Sequence, residues 1–279
     1  MNSYVGIEID GGQMYMMADT PNGCLEQIFP IARDCSLLEL QQEVEAFVAK
    51  LTYTPSGIGI GMPGLVVGTD KVELSHVLPV LNGTTADMFT TAAGIPVAFI
   101  NDVKAATMAE AAHYQDNHTV AVIMSDAFIA AGVVASGELQ LGAKGWSGEL
   151  GYMILTVNGK PALLDTLASG YAITNQAGID DAAVRERLEA GDLQVTALVR
   201  QAGQYFGYAL TNLLHLYNPD VIVVGGSTPT YKGYMEAAKA ALEEHALPEL
   251  LKCCNLTEPK IHNRVIAFGA REWIRKLTQ

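Results

Sequence analysis

The 279 residues suffice for two domains of ordinary size, each around its own core. Hydrophobic residues make up 49% and charged residues 17%, a globular balance far from disorder. The net charge of −13, with no cluster of Lys and Arg, excludes a nucleic-acid binder that depends on phosphate contacts and argues against an anionic membrane surface.

An apolar strand opens the chain at Tyr4–Ile9 and ends in the tight turn Asp10-Gly11-Gly12. The apolar stretch around Met14–Ala18 and a turn at Pro21-Asn22-Gly23 predict a β-hairpin. Residues 36–51 carry apolar positions at helical spacing behind Ser36, an N-cap residue type. A buried strand from Gly57 then runs into the glycine-proline turn Met62-Pro63-Gly64. A short strand over 96–100 delivers Asn101-Asp102 to the start of an Ala-rich helix over 103–114.

The pattern begins again at residue 119. Strands are expected at 119–125 and 130–136, followed by a glycine-punctuated loop over 137–153. Helices follow at 181–190 and 195–217, then a strand over 220–224 closing on Gly225-Gly226. Helix 231–245, a strand at 260–262 and a terminal helix within 265–277 complete the chain. Alternation of this kind predicts an α/β fold with ligand loops at strand ends.

Cys24, Cys35, Cys253 and Cys254 form no C-x-x-C pair, which reads as reduced thiols in a cytoplasmic protein. The N-terminus shows no basic leader, and no apolar run approaches the about 20 residues of a membrane span. The histidines show no metal-ligand spacing; His215 falls on an apolar helix face and reads as a core or dimer residue.

Asp102, at a strand end ahead of a helix, suits a general base, and equally a helix cap. Glu149 sits between Gly148 and Leu150-Gly151, where its carboxylate can accept sugar hydroxyls or simply ride on a surface turn. Asp165 begins a helix, where capping is the usual duty. Glycine clusters at 10–12, 61–64 and 225–226 can face backbone N–H groups to phosphates, or serve only as tight turns. No G-x-G-x-x-G follows a strand, so a dinucleotide fold has no support.

Taken in order, these segments resemble the ROK family of sugar kinases and sugar-responsive repressors. GIEIDGG resembles the first phosphate loop and GIGIGMPGLV the glycine-proline strand. INDVKAATMAE is similar to the segment bearing the catalytic base. GAKGWSGELGYM and LLDTLASGYAI resemble the sugar-binding signatures, and NPDVIVVGGS the adenosine-side loop. The resemblance implies a two-domain actin-like (ribonuclease H-like) sugar kinase fold with a central cleft. The expected domains are 1–104 and 105–264, with the helix 265–279 packing back on the first.

It further implies Asp102 as general base, and Gly64, Asn101, Asp102, Glu149, Tyr152 and Asp165 as sugar-binding residues. Asp10, Gly11, Gly12, Asp126, Gly132, Gly225 and Gly226 take the nucleotide-binding places. The acid of the first loop is Glu8 or Asp10, depending on where one gap is placed. ATP and Mg²⁺ are the implied cofactors, a sugar the partner, and a homodimer the assembly.

Departures from the family pattern qualify that expectation. Tyr152, Thr156, Asn158 and Leu163 replace the family's structural zinc ligands, so no zinc is expected. The second phosphate loop, glycine-rich in the family, reads Asp126-Ala127-Phe128-Ile129-Ala130-Ala131-Gly132, putting bulk and negative charge where phosphate oxygens lie. An ATP-dependent hexose or amino-sugar kinase and a sugar-binding pseudokinase are therefore both expected readings. A DNA-binding repressor is disfavoured, because the chain begins directly with the first strand.

Overall fold

The computed structural model describes residues 3–21, 23–32, 34–90 and 93–279. The chain divides into two compact units. One comprises 1–115, 139–147 and 260–279, the other 116–138 and 148–259.

The first unit opens with β1 (Tyr4–Ile9), β2 (Gln13–Thr20) and β3 (Gly23–Pro30), an antiparallel meander. Asn22, in the predicted turn between the last two, lies outside the described residues. Helix α1 (Leu37–Val48) follows, started by a capping box in which Ser36 and Glu39 satisfy each other's backbone N–H groups. Then come β4 (Gly57–Met62), the hairpin β5 (Leu65–Val67) and β6 (Lys71–Leu74), β7 (Val97–Asn101) and α2 (Asp102–Ala111). Among the described residues the main sheet has the order β3-β2-β1-β4-β7, with β1, β4 and β7 parallel. Residue 104, the boundary expected from sequence, falls inside α2.

Alternation along β1 divides its side chains between two faces. Val5, Ile7 and Ile9 join Leu40, Val44 and Phe47 of α1 in one apolar core. Gly6 lies on the other face, under the helix that ends the chain. A Cβ on Gly59 of β4 would lie 1.8 Å from the Ala270 carbonyl oxygen of that helix. Glycine is what lets the helix backbone rest directly on the strands.

The second unit repeats the arrangement. Its strands are β8 (Val120–Ser125), β9 (Ile129–Ala135), β10 (Glu138–Leu139) and the small hairpin β11 (Ile154–Val157) with β12 (Lys160–Leu163). Helices α3 (Leu164–Ala168), α4 (Gly170–Ala177), α5 (Asp181–Glu189) and α6 (Leu193–Tyr217) precede β13 (Val221–Gly225). Then follow α7 (Tyr234–His245), α8 (Pro248–Cys253) and β14 (Asn255–Thr257). The order β10-β9-β8-β13-β14 among the described residues has the same antiparallel start and parallel continuation as the first sheet. Phe206, Leu210 and Leu214 of α6 pack against Ile123 and Ile222 in the core of this unit. The last helix, α9 (Val265–Leu277), belongs to the first unit and lies on β1 and β4, where Ala267 packs with Tyr15 and Met17.

Two expectations are corrected. The final strand lies at 255–257, not 260–262. The backbone N–H groups of Lys260 and Ile261 donate to the buried carboxylate of Glu110, at 3.0 and 2.8 Å, so that segment has no ladder to join. His215 is exposed rather than a core residue: α6 turns Leu213 and Leu214 inward, and His215 accepts the Leu247 backbone N–H at 3.1 Å through Nε2. Among the described residues no helix is long and apolar enough to cross a membrane.

Candidate functional site

At the end of β7 the chain must supply acceptors for the first free N–H groups of α2. Asn101 does so: its Oδ1 accepts the N–H groups of Val103 and Lys104 at 3.1 and 3.2 Å. Its Nδ2 donates to the Gly64 carbonyl at 3.0 Å and to Asp102 Oδ1 at 2.8 Å. Asp102, the first helical residue, also accepts the Val103 N–H at 2.8 Å. Capping therefore rests on Asn101, and Asp102 is held at the helix N-terminus, where the helix dipole favours a carboxylate. Gly64 has φ +113°, and a Cβ there would lie 2.2 Å from the Leu74 carbonyl oxygen, so the Asn101 anchor demands glycine.

The two acids near the first loop are separated by structure. Glu8 is half-buried and its Oε2 has no partner. Burial, the charge of Asp10 and that of Asp102 push its carboxyl up, against Arg264 and a hydrogen bond from the Ala267 backbone. Asp10 instead closes the turn: its N–H donates to the Gln13 carbonyl at 2.9 Å, and its Oδ1 accepts the N–H groups of Gly12 and Gln13 at 2.6 and 2.8 Å. The Gly12 and Gln13 amides, in the turn that resembles a phosphate loop, are thus already bound to a carboxylate.

In the second unit, Glu149 is exposed and its backbone is pinned to β9. The Ala131 N–H donates to the Gly148 carbonyl at 2.8 Å, and a Cβ on Gly148, φ +90°, would lie 1.9 Å from the Ala131 oxygen. Asp165, in the first turn of α3, accepts the Ile129 N–H at 2.8 Å. Burial raises its carboxyl above the usual range; the Ile129 hydrogen bond opposes this and the Glu149 charge adds to it. A Cβ on Gly151 would lie 2.2 Å from Asp165 Oδ1, so glycine leaves that carboxylate its room. Tyr152 is 65% exposed, on a short 3-10 turn ahead of the β11–β12 hairpin that carries Thr156, Asn158 and Leu163. Among the described residues no group of three or more His, Cys, Asp or Glu side chains is placed to hold a metal ion.

The β8–β9 turn is stitched down from several directions. Asp126 Oδ1 accepts the Ser227 N–H at 2.6 Å, and the Asp126 carbonyl accepts the Gly170 N–H at 2.8 Å and the Thr228 hydroxyl at 2.9 Å. The Tyr171 N–H donates to the Ala127 carbonyl at 3.4 Å. Phe128, 61% exposed, stacks on Tyr171, with ring centroids 6.2 Å apart. Gly132 lies buried within β9 opposite Val122, away from the turn. Gly225 ends β13, and Gly226, φ +99°, turns the chain against Ser125. The residues expected at the phosphates therefore fit the polyphosphate of ATP poorly, because the N–H groups of Asp10, Gly12 and Asp126 are already bonded and the side chains of Asp126 and Phe128 are acidic and bulky.

Beside this turn lies a cavity of about 740 Å³, lined by Asp126, Tyr171, Asn175, Asp181, Ser227 and Tyr231 among others. Asp181 is bound by Arg185 at 2.9 Å and by the Tyr231 hydroxyl at 2.5 Å, and both interactions hold its carboxyl below the usual range. The start of α4 lies within the LLDTLASGYAI signature, whereas nothing in the spacing of α5 marks its Asp181 for this cavity.

The ROK family model matches residues 6–277. An N-acetylmannosamine kinase of Haemophilus influenzae is 25% identical over 193 residues, covering 64% of this chain and 63% of that protein. A putative xylose repressor of a Caldicellulosiruptor species is 27% identical over 197 residues, 61% of this chain and 49% of the repressor. The chain thus spans about half to under two thirds of these curated relatives. The ROK hexokinase of Thermus thermophilus superimposes with a TM-score of 0.84 at 23% identity, covering 99% of this chain and 100% of that one. A Streptomyces griseus ROK glucokinase, in complex with glucose and AMPPNP, gives 0.75 at 18% identity, over 98% and 99% of the chains. With its family match extending almost end to end and its paired sheets following the actin-like sugar-kinase architecture of these structures, the chain belongs to the ROK family.

Proposed function

We propose that this chain binds a hexose or amino sugar, with Asn101, Asp102, Glu149 and Asp165 accepting or donating hydrogen bonds to its hydroxyls, and that its phosphate transfer from ATP is strongly curtailed. The observation that carries this reading is the pair of carboxylates in the loops that resemble phosphate loops: Asp10 holds the N–H groups of Gly12 and Gln13 in its own turn, and Asp126 holds the Ser227 N–H of the adenosine-side loop. Phosphoryl transfer depends on positioned donors that stabilise the equatorial oxygens. Removing one such donor commonly costs on the order of 10²–10³ in rate. The sugar class is supported by the relatives, which include N-acetylmannosamine kinases, and by the glucose-bound glucokinase of the same fold.

A second reading, a working kinase, is favoured by the retained Asn101–Asp102 pair. There Asp102 takes the proton of the attacking sugar hydroxyl, helped by its fixed position beside Asn101. On either reading the family resemblance points to a homodimer.

Thermal shift against a panel of hexoses and amino sugars tests the sugar site, and an ADP-release assay with Mg-ATP separates the readings. Sugar stabilisation lost in Asp102→Ala, without sugar-dependent ADP release, is the expected result. ADP release that depends on both sugar and Asp102 establishes the kinase instead. A chain that no sugar stabilises sinks both.

A further inference from the structure

We infer that a second cavity of the second unit, bounded by α6, α7, α8 and the sheet, is a binding site for a small apolar amino acid. The cavity holds about 240 Å³ and shares no lining residue with the one beside Asp126. Leu214 of α6, Ile222 of β13 and Leu242 of α7, each no more than 5% exposed, line it together with Leu256 of β14. Helix α8 contributes Leu251 but has no buried residue of its own, so it bounds this apolar surface without filling it. Unfilled apolar walls forgo dispersion contacts that an aliphatic guest restores. A cavity of about 150 Å³ lined by Leu, Ile and Phe is enough to take up benzene, whereas drug-sized ligands need about 300 Å³ or more. The space here lies between the two and suits a side chain of leucine's size.

The rim supplies the charges that separate an amino acid from other apolar guests. Lys239 and Glu243, one turn apart on α7, stand exposed there, and neither side chain is ion-paired or hydrogen-bonded to a described residue. A lone carboxylate is drawn to Lys239 and repelled by Glu243, and a lone ammonium the reverse. The α-carboxylate and α-ammonium groups of a zwitterion answer both at once, and its side chain is free to enter the apolar cavity. Cys254 is the remaining lining residue. Burial pushes its thiol up to about 11, so it stays protonated at neutral pH and adds no third charge.

Calorimetric titration of the full chain tests this by comparing leucine with three partial analogues. 4-Methylpentanoate and 3-methylbutylamine keep the aliphatic group and one charge each, and serine keeps both charges without the aliphatic group. Leucine is expected to bind. Each single-charge analogue should bind about two- to fivefold more weakly, the range of an exposed ion pair. Serine should bind at least about tenfold more weakly, for want of apolar burial. Lys239→Ala should lose the preference for leucine over 3-methylbutylamine, and Glu243→Ala the preference over 4-methylpentanoate; both positions are exposed, so neither change threatens the fold. Cys254→Phe, which fills the cavity, should abolish binding in a chain that circular dichroism shows to be folded. Asp102→Ala should bind leucine as the parent does, so the sugar site and this one stand or fall separately. No binding of leucine overturns the inference. So do equal affinities for leucine and serine, an affinity indifferent to Lys239 and Glu243, or binding that survives in folded Cys254→Phe.

Discussion

The Asp126 carboxylate accepts the Ser227 backbone N–H at 2.6 Å, joining two turns that stand 101 residues apart in the chain. Asp10 closes in the same way over Gly12 and Gln13, so a carboxylate stands on backbone N–H groups at both turns. Replacing Asp10 and Asp126 together by Gly should release those N–H groups and remove two negative charges. ADP release with Mg-ATP and sugar should then rise at least tenfold over the parent chain, in keeping with the about 10²–10³ associated with a single donor. An unchanged rate would show that these carboxylates are not what limits transfer.

Asn101 and Asp102 divide structure and chemistry between neighbours. Asn101→Ala removes the cap of α2 and the donor to the Gly64 carbonyl, and should cost about 1–2 kcal/mol in urea unfolding. Asp102→Asn keeps an acceptor for Val103 and should alter stability by less than about 0.5 kcal/mol. It should nonetheless abolish sugar-dependent stabilisation. Equal losses of stability in the two variants would contradict this division.

Close approach of α9 to the first sheet predicts a large packing penalty. Gly59→Ala would set a methyl group 1.8 Å from the Ala270 carbonyl oxygen, with backbone on both sides. Its unfolding free energy should fall by about 3 kcal/mol or more, at the top of the range for overpacking. Gly68→Ala, where the nearest atom is a side-chain oxygen at 3.7 Å and only φ +58° is adverse, should cost less. Comparable midpoints for the two would refute the argument.

Asp165 gives the stability of the chain a definite pH dependence. Burial and the Glu149 charge keep its proton bound to a higher pH in the folded chain than in the unfolded one. The associated stabilisation is complete below the ordinary aspartate value of about 3.9 and is lost as pH rises through the folded value. Asp165→Asn retains an acceptor for Ile129 and removes that loss. Its thermal midpoint should therefore gain on the parent as pH rises from about 4. Parallel midpoint curves would rule out a buried, proton-retaining Asp165.

Much of the architecture is legible in local pattern. The Ser36 start of α1, the Asn101-Asp102 junction and the long amphipathic α6 follow from capping chemistry and 3.6-residue spacing, which act within a few residues. The order of the family's motifs also carries the fold, since several weak signals in sequence are jointly specific. The hairpins β5–β6 and β11–β12 are less legible, because short half-exposed strands have little periodicity to display.

By itself, then, the sequence determined the repeated strand-and-helix plan, the Asn101-Asp102 pair with the acids Glu149 and Asp165, and the altered loops that resemble phosphate loops. Only the tertiary structure decided what those acids do with their neighbours. It assigned Asp10 to its own turn while burying Glu8, tied Asp126 to Ser227, and took Lys260 and Ile261 out of any strand by way of Glu110. The physical reason is one of range. Helix caps and periodic burial are set by residues a few places apart, whereas a carboxylate's partner is whatever donor the fold brings within about 3 Å.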